Sequence, residues 1–350
     1  MFKYIIPVGF IGSGSSACTD LLGEYEGITA PHGSFEYVFL HCPHGLFDLA
    51  DQLTVGNTAL RSDAALHAFK QTMQALNRGR WWVGHYADLI GSEFAAAVDE
   101  LLAELIEVRP HFYWYEQEKF STRDLPYLAW RKTVKLLSGG RKVLPLPLNY
   151  PEMWLTWPKH AEFTAVAQKF INRIAAAIAA KAPDATGIIM DQLLLPHNLW
   201  RFADYFNDDY AAIVIGRDPR DVFIANKYVW AKNNEPVPYP TVVEEFCRMY
   251  RRLRESVQPY SDARIFTYTF EDLIYNYEAT VAQIEHDLGL LSRQHIAPKT
   301  KFNPAISVNN TQLWRQNPVW QEEASIIARE LSAYCYNFPY SFDADLSRTF

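Results

Sequence analysis

Two stretches of this chain have residue types and spacings suited to chemistry. The first is Gly9-Phe10-Ile11-Gly12-Ser13-Gly14-Ser15-Ser16. Its pattern, Gly9-x4-Gly14-x-Ser16, is that of a phosphate-binding loop, with Ser15 where an ATP-hydrolysing enzyme has Lys. Successive backbone N–H groups in such a loop, together with the N-terminus of the helix that follows, make a pocket for an anion. Without the Lys that reaches the β- and γ-phosphates, the loop suits a phosphate-like group other than a hydrolysable triphosphate. A plain Gly/Ser turn between a strand and a helix is the competing reading. The second stretch is Arg217-Asp218-Pro219-Arg220-Asp221, directly after the apolar run Ala211 to Gly216. An Arg there stands at the carboxyl edge of the sheet, where open α/β folds bind ligands, and its planar fork can grip a phosphate with two bonds. An Arg–Asp surface pair at a helix start is the alternative. Together the two stretches imply a ligand that holds two anionic groups apart.

The elements that must position these residues are legible in outline. Residues 2–8 predict a short buried strand feeding the loop, and a helix follows from about Ser16 to Glu24. Gly27 to Ala30 is a second strand. Helices are expected over Leu46 to Leu53, Ser62 to Arg78 with Ser62 as N-cap, Ser92 to Val108, Leu125 to Leu137 and Ala161 to Lys181. Lys142 to Leu148 is a candidate for another strand, but Pro145 and Pro147 cannot donate to a ladder and argue for an edge or irregular piece. Thr186 to Asp191, Ala211 to Gly216 and Arg264 to Tyr268 predict further strands. The helices between and after them run over Leu199 to Phe206, Pro219 to Lys232, Thr241 to Val257 and Phe270 to Leu288, with a last one at Glu322 to Tyr334. The uninterrupted apolar character of Ala211 to Ile215 fits a strand buried on both faces of a parallel sheet. Strand–helix alternation at both ends of the chain predicts an α/β fold, a parallel sheet flanked by helices. The whole chain, 1–350, is expected to be one domain, with roughly 60–180 as a helical insertion over the cleft.

Composition narrows the function classes. A net charge of −7 argues against a general nucleic-acid binder. The four cysteines, Cys18, Cys42, Cys247 and Cys335, have no metal-ligand or CxxC spacing, and read as free thiols in a reducing compartment. No run approaches the ~20 apolar residues that span a membrane. The apolar start is broken by Pro7 and Gly9 and reads as a strand, not an export signal, so a cytoplasmic location is expected. His41 and His85 have no partners at metal spacing, and no metal is expected.

A phosphate loop without its Lys, followed much later by strand–Arg217-Asp218-Pro219-Arg220-Asp221-Val222–helix, resembles the sulfotransferases that use 3′-phosphoadenosine 5′-phosphosulfate (PAPS). Phe270-Glu271-Asp272-Leu273 is similar to an element of many bacterial members. The stretch from His295 through Trp314 is similar to their late nucleotide-side loop. The likeness covers about residues 3–36 and 186–315. It implies a P-loop-like sulfotransferase fold. It implies that PAPS is the co-substrate, without a metal, held by Gly12, Ser13, Gly14, Ser15 and Ser16 at its phosphosulfate end and by Arg217 at its 3′-phosphate. Asn226, Lys299 and Lys301 join that set on the nucleotide side.

The resemblance also implies a base that takes the proton of an attacking hydroxyl. Relatives use a His or a Glu, often after the second strand, which makes Glu36 and His32 the candidates. Asp191-Gln192 ends a strand at the productive edge and is a candidate for acceptor hydroxyls; a helix cap is the alternative. Arg109, His111 and Tyr113 are candidates for lining an acceptor cleft. The expected function is transfer of a sulfuryl group from PAPS to a hydroxyl or amine of a small-molecule or glycan acceptor, with a saccharide favoured. A P-loop kinase and an inactive nucleotide- or glycan-binding relative are the alternatives. Two positions depart from the family pattern: Gly12 stands where many members have Lys or Arg, and Ala225 stands where many have Ser, with Asn226 beside it.

Overall fold

The computed structural model describes residues 1–33, 35–80, 83–111, 114, 121–147, 150, 152–233 and 237–349. In chain order the elements are β1 (Tyr4–Gly9), α1 (Ser15–Leu22), β2 (Ile28–Thr29), α2 (Leu46–Thr54), α3 (Ala59–Arg78), α4 (Tyr86–Leu89), α5 (Ser92–Leu105), α6 (Leu125–Leu137) and α7 (His160–Ala179). After them come β3 (Gly187–Ile189), α8 (Phe202–Tyr205), β4 (Tyr210–Gly216), α9 (Pro219–Ile224), α10 (Val243–Glu255), β5 (Ile265–Thr269), α11 (Phe270–Tyr275), α12 (Tyr277–Leu288), α13 (Pro304–Ser307) and α14 (Pro318–Glu330). The strands form one parallel sheet in the order β2-β3-β1-β4-β5. The chain therefore adopts the expected fold class, a parallel sheet flanked by helices.

The alternation of a strand explains why β1 and β4 carry so few polar side chains. Tyr4, Ile6 and Val8 of β1, with Tyr210, Ala212 and Val214 of β4, pack against α3, α5 and α7 on one face. Ile5, Ala211, Ile213 and Ile215 pack against α1, α11 and α12 on the other. With both faces covered, each large apolar side chain contributes about 1.5–3 kcal/mol of burial. A third cluster, built on α9, α10 and α14, closes the end of the molecule beyond β4.

Sheet order places the loop. β1 is central, with β3 on one side and β4 on the other, so its carboxyl end is the point where the winding reverses and a crevice opens. Pro7 helps to open it. Pairing of β1 with β3 ends at Ile5 and Ile189, whereas pairing with β4 continues to Gly9 and Ile215. Pro7 lacks an N–H and sits past the last β3 pair, where a ladder donor is not needed.

Several sequence expectations are corrected. α3 begins at Ala59, capped by Thr58, whose side chain accepts from Arg61 N–H; Ser62 lies within the helix, and its Oγ bridges Trp154 and Thr156. Residues 142–147 form no strand: they lie along α6, where Arg131 and Tyr127 donate to the carbonyls of Leu144 and Pro145. Leu148 lies outside the described residues. The stretch Phe270 to Leu288 breaks into α11 and α12 at Asn276. The stretch after Pro219 leaves α-geometry at Ala225, where a π-helical turn runs to Val229 and a tight turn to Asn233. Among the described residues, no helix is long and apolar enough to cross a membrane.

One buried carboxylate fastens the late segment to the first helix. Glu24, fully enclosed just past α1, accepts the backbone N–H groups of Lys299, Lys301 and Phe302, and pairs with His295 at 2.8 Å. Removing a carboxylate of this kind orphans every one of those donors. Glu24→Ala is therefore expected to lower stability by about 3 kcal/mol or more in urea titration, and to make the 295–302 segment sensitive to protease.

Candidate active site

The loop after β1 has the geometry its glycines demand. Gly12 and Gly14 have φ of 77° and 82°, the left-handed region that favours glycine. Each is also covered: a Cβ on Gly12 would fall 2.7 Å from the Trp230 ring, and one on Gly14 2.8 Å from Phe270. Ser13 Oγ lies over Gly9, so a Cβ there would collide with it. Ser13 is buried and its Oγ has no hydrogen-bond partner among the described residues. α1 starts at Ser15, so the amides of its first turn point out of the helix toward the loop mouth. Ser15 Oγ accepts from Gln192 Nε2 at 2.7 Å, and Ser16 is exposed.

Carbonyls of the loop are held from outside by two elements. Tyr239 Oη donates to Ile11 O at 3.0 Å. Arg217 donates from Nη1 to Gly12 O at 3.0 Å and from Nη2 to Asn310 O at 2.7 Å. Its guanidinium stacks over Phe270, with the carbon 5.1 Å from the ring centre. Arg217 thus joins the loop to the 308–313 segment, and it is buried. Burial presses its pKa below the ordinary arginine value, and the carboxylates of Asp221, Glu271 and Asp218 offset that effect.

Those three acids are themselves structural anchors. Asp221 accepts the N–H groups of Gln312 and Leu313, Asp218 accepts those of Arg220 and Tyr336, and Glu271 accepts that of Asp218. Burial, with the charge of Asp218 nearby, pushes Glu271 up to about 7.

The other wall of the mouth comes from β3 and the segment after β2. Gln192, just beyond β3, has φ 54°, an uncommon conformation for a non-glycine residue and of the kind that collects at functional sites. Its N–H donates to Pro7 O, its carbonyl bonds His41 Nε2 at 2.9 Å, and its side chain reaches Ser15. Tyr37 N–H donates to Asp191 O, which brings the residues around Glu36 alongside Asp191. Asp191 is buried, and its Oδ1 has no partner among the described residues. Burial and the neighbouring charge of Glu36 push Asp191 up to about 7; burial alone raises Glu36. Two carboxyl groups set close together resist ionising together.

The structure therefore brings Gly12, Ser13, Gly14, Ser15, Ser16, Asp191, Gln192 and Glu36 around one mouth, with Arg217 buried beneath the loop. His32 stands beside them, but both its ring nitrogens are engaged, Nδ1 with Tyr37 Oη at 2.8 Å and Nε2 with Leu89 O at 3.1 Å. Asn226 does not face the mouth: it is buried and exchanges two hydrogen bonds with the Tyr239 backbone. Lys299 and Lys301 are placed at the far end of α1, by Glu24 and Gly23, with Lys299 Nζ on Glu278. Among the late residues it is Asn310 that reaches Arg217. Arg109 pairs with Glu152 and lies over Trp154 in the helical middle, and His111 nearby is exposed. Tyr113 lies outside the described residues.

Sequence reasoning missed Tyr239, Trp230 and His41. Nothing in their local pattern marks them, because each acts through a carbonyl or a ring face supplied by a distant element. Phe270 and Glu271 carried a signal in their motif, without the role they play.

No family model matches the sequence, and no curated protein does. Among solved structures, the sulfotransferase domain of the Synechococcus PCC 7002 olefin synthase aligns over 97% of this chain and 95% of its own, at 14% identity and a TM-score of 0.41. The sulfotransferase domain of the curacin biosynthetic pathway aligns over 97% and 98%, at 11% identity and a TM-score of 0.36. Sulfotransferase STF1 of Mycobacterium tuberculosis H37Rv aligns over 89% and 77%, at 12% identity and a TM-score of 0.33. The roles assigned to residues here rest on the geometry of this chain.

Two outcomes follow from that geometry. Gly12→Lys is expected to lower stability by about 1–3 kcal/mol in urea titration, because a non-glycine residue is strained there and Trp230 stands in its way. Asp191 is protonated in the fold up to about pH 7, against an ordinary value of 3.8. Its contribution to stability is complete below pH 3.8 and is lost as pH rises toward 7. Asp191→Asn should flatten stability across that window in denaturation curves taken at a series of pH values.

Proposed function

We propose that this chain is a sulfotransferase that moves a sulfuryl group from PAPS to a hydroxyl, or an amine, of an acceptor. The observation that supports the reading is the loop itself: left-handed Gly12 and Gly14 leading into the first turn of α1 at the switch point of the sheet, without the Lys of a kinase, with a carboxyl pair of raised pKa nearby. The orphaned Ser13 Oγ and the first-turn amides of α1 are the groups that would hold the phosphosulfate end. PAPS supplies the activated sulfuryl group. In this reading the acceptor oxygen forms a bond to sulfur while the sulfur–oxygen bond to the phosphate breaks. Glu36 takes the acceptor proton, and Asp191 beside it keeps the pair from being doubly charged. Charge that builds on the departing phosphate oxygen meets the amides of Ser15 and Ser16; one such donor is worth about 3–4 kcal/mol in comparable sites. Arg217 acts on the nucleotide through the loop it fastens and through Asn310.

A saccharide is the acceptor class we favour. The helical middle carries an aromatic-edged cavity of about 450 Å³, lined by His44, Gln52, His67, Gln71, Thr72 and Tyr150. His67 is stacked on Tyr150 at 3.6 Å and on Trp154 at 3.8 Å, and Asp63 anchors the group from below. Flat rings beside amides and hydroxyls suit sugar faces and their hydroxyl groups.

The test pairs binding with transfer. 3′-Phosphoadenosine 5′-phosphate (PAP) should raise the melting temperature more than ATP with Mg²⁺ does, and labelled sulfate should pass from PAPS to members of a glycan panel. Glu36→Gln should keep the PAP shift and slow transfer by about 10²–10⁴-fold. A larger shift with ATP and Mg²⁺ would overturn the sulfotransferase reading, and full transfer by Glu36→Gln would remove Glu36 as the base.

A further inference from the structure

Position 12 cannot carry a cationic side chain of its own. Its backbone is left-handed and Trp230 lies across it. A cation that reaches the loop therefore stands on another element, and several candidate cations are committed elsewhere. Arg217 lies beneath the loop on two backbone carbonyls. Arg220 is paired with Asp218, Lys227 with Glu323, and Lys299 with Glu278 at the far end of α1.

Arg254 is different. It stands in the last turn of α10, half-buried, and among the described residues it forms no ion pair. Its guanidinium carbon lies 4.6 Å from the ring centre of Phe10, the first residue of the loop, and 4.8 Å from that of Tyr334. Tyr250 flanks it, with Oη 3.5 Å from Nη1. The end of α10 is pinned to the loop entrance: His197 Nε2 bonds Leu253 O at 3.1 Å, and the His197 ring meets Phe10 edge-on at 5.6 Å. The positive charge also reaches Tyr239, the residue that holds Ile11 O. A guanidinium stacked on aromatic faces keeps its in-plane N–H donors for a further acceptor, and it is fixed in place at small entropic cost.

We propose that Arg254 is the oxyanion-binding cation of the loop, supplied from α10 in place of a basic residue at Gly12, and that its ligand is a phosphate or sulfate group. The donor's identity rests on the sulfotransferase reading above; the anion site does not. Inorganic pyrophosphate is the probe, with PAP measured in parallel by calorimetry. Arg254→Gln should weaken pyrophosphate binding at least tenfold, Arg254→Lys should recover part of the loss, and Lys227→Gln should bind as the unaltered protein does. In the unaltered protein, pyrophosphate should shield Arg254 from modification by phenylglyoxal, read by peptide mass spectrometry; this measurement stands even where a substitution harms folding. Pyrophosphate affinity unchanged in Arg254→Gln, or equal modification of Arg254 with and without pyrophosphate, overturns the proposal. Shielding by pyrophosphate with no binding of PAP would uphold Arg254 and remove PAPS as donor. PAP binding unaffected by Arg254→Gln, with pyrophosphate also unaffected, would remove Arg254 and leave the donor reading in place.

Discussion

The arrangement at the loop depends on one buried cation. Arg217 binds the carbonyl of Gly12 with one nitrogen and that of Asn310 with another, and so ties the first loop of the chain to one almost 300 residues later. An enclosed guanidinium is costly without compensation. Asp218, Asp221 and Glu271 supply the compensating charge. Each of those acids also accepts a backbone N–H, so the group that neutralises Arg217 is the same group that fixes the 312–313 segment, Tyr336 and the start of α9. The charges cannot be considered singly: without Arg217 three carboxyl groups would repel one another in a dry interior, and without the acids the guanidinium could not stay buried.

That economy changes what the motif Arg217-Asp218-Pro219-Arg220-Asp221 means. As a string it reads as a ligand grip. In the fold Arg217, Asp218 and Asp221 are buried and hold loops, while at the crevice Ser13 Oγ and Asp191 Oδ1 have no hydrogen-bond partner among the described residues. Buried polar atoms without partners are uncommon in native proteins, and several of those found among the described residues stand around this crevice. The raised pKa of Asp191 has the same origin: a carboxyl kept from water, beside another carboxyl, at the edge of the sheet.

Legibility differed between the two levels. The helices of the middle segment were visible from apolar period, and α6 spans the expected Leu125–Leu137. The stretch 142–147 forms no strand, because its two prolines and donors from α6 hold it as irregular chain. For the site, the loop, Arg217, Glu36 and the Asp191-Gln192 pair were named from the sequence and converge in the fold. Asn226, Lys299 and Lys301 were named as well, but Asn226 turns to Tyr239, and the lysines follow Glu24 to the opposite end of α1. The first residues are local: a glycine's conformation or a strand's end is set by its neighbours. The others depend on which distant carbonyl or carboxylate captures them.

By itself, then, the sequence determined the parallel sheet, the glycine loop at the end of its central strand and the absence of a Lys in that loop. Those features arise from short-range physics: apolar runs that need two covered faces, and glycines that alone take left-handed backbone without strain. Only the tertiary structure decided that Trp230 and Phe270 close over Gly12 and Gly14, that Arg217 serves as a clasp, and that Asp191 and Glu36 share one environment. These outcomes rest on contacts between elements far apart in the chain, where the nearest charge or ring, and how much water remains, sets what a side chain can do.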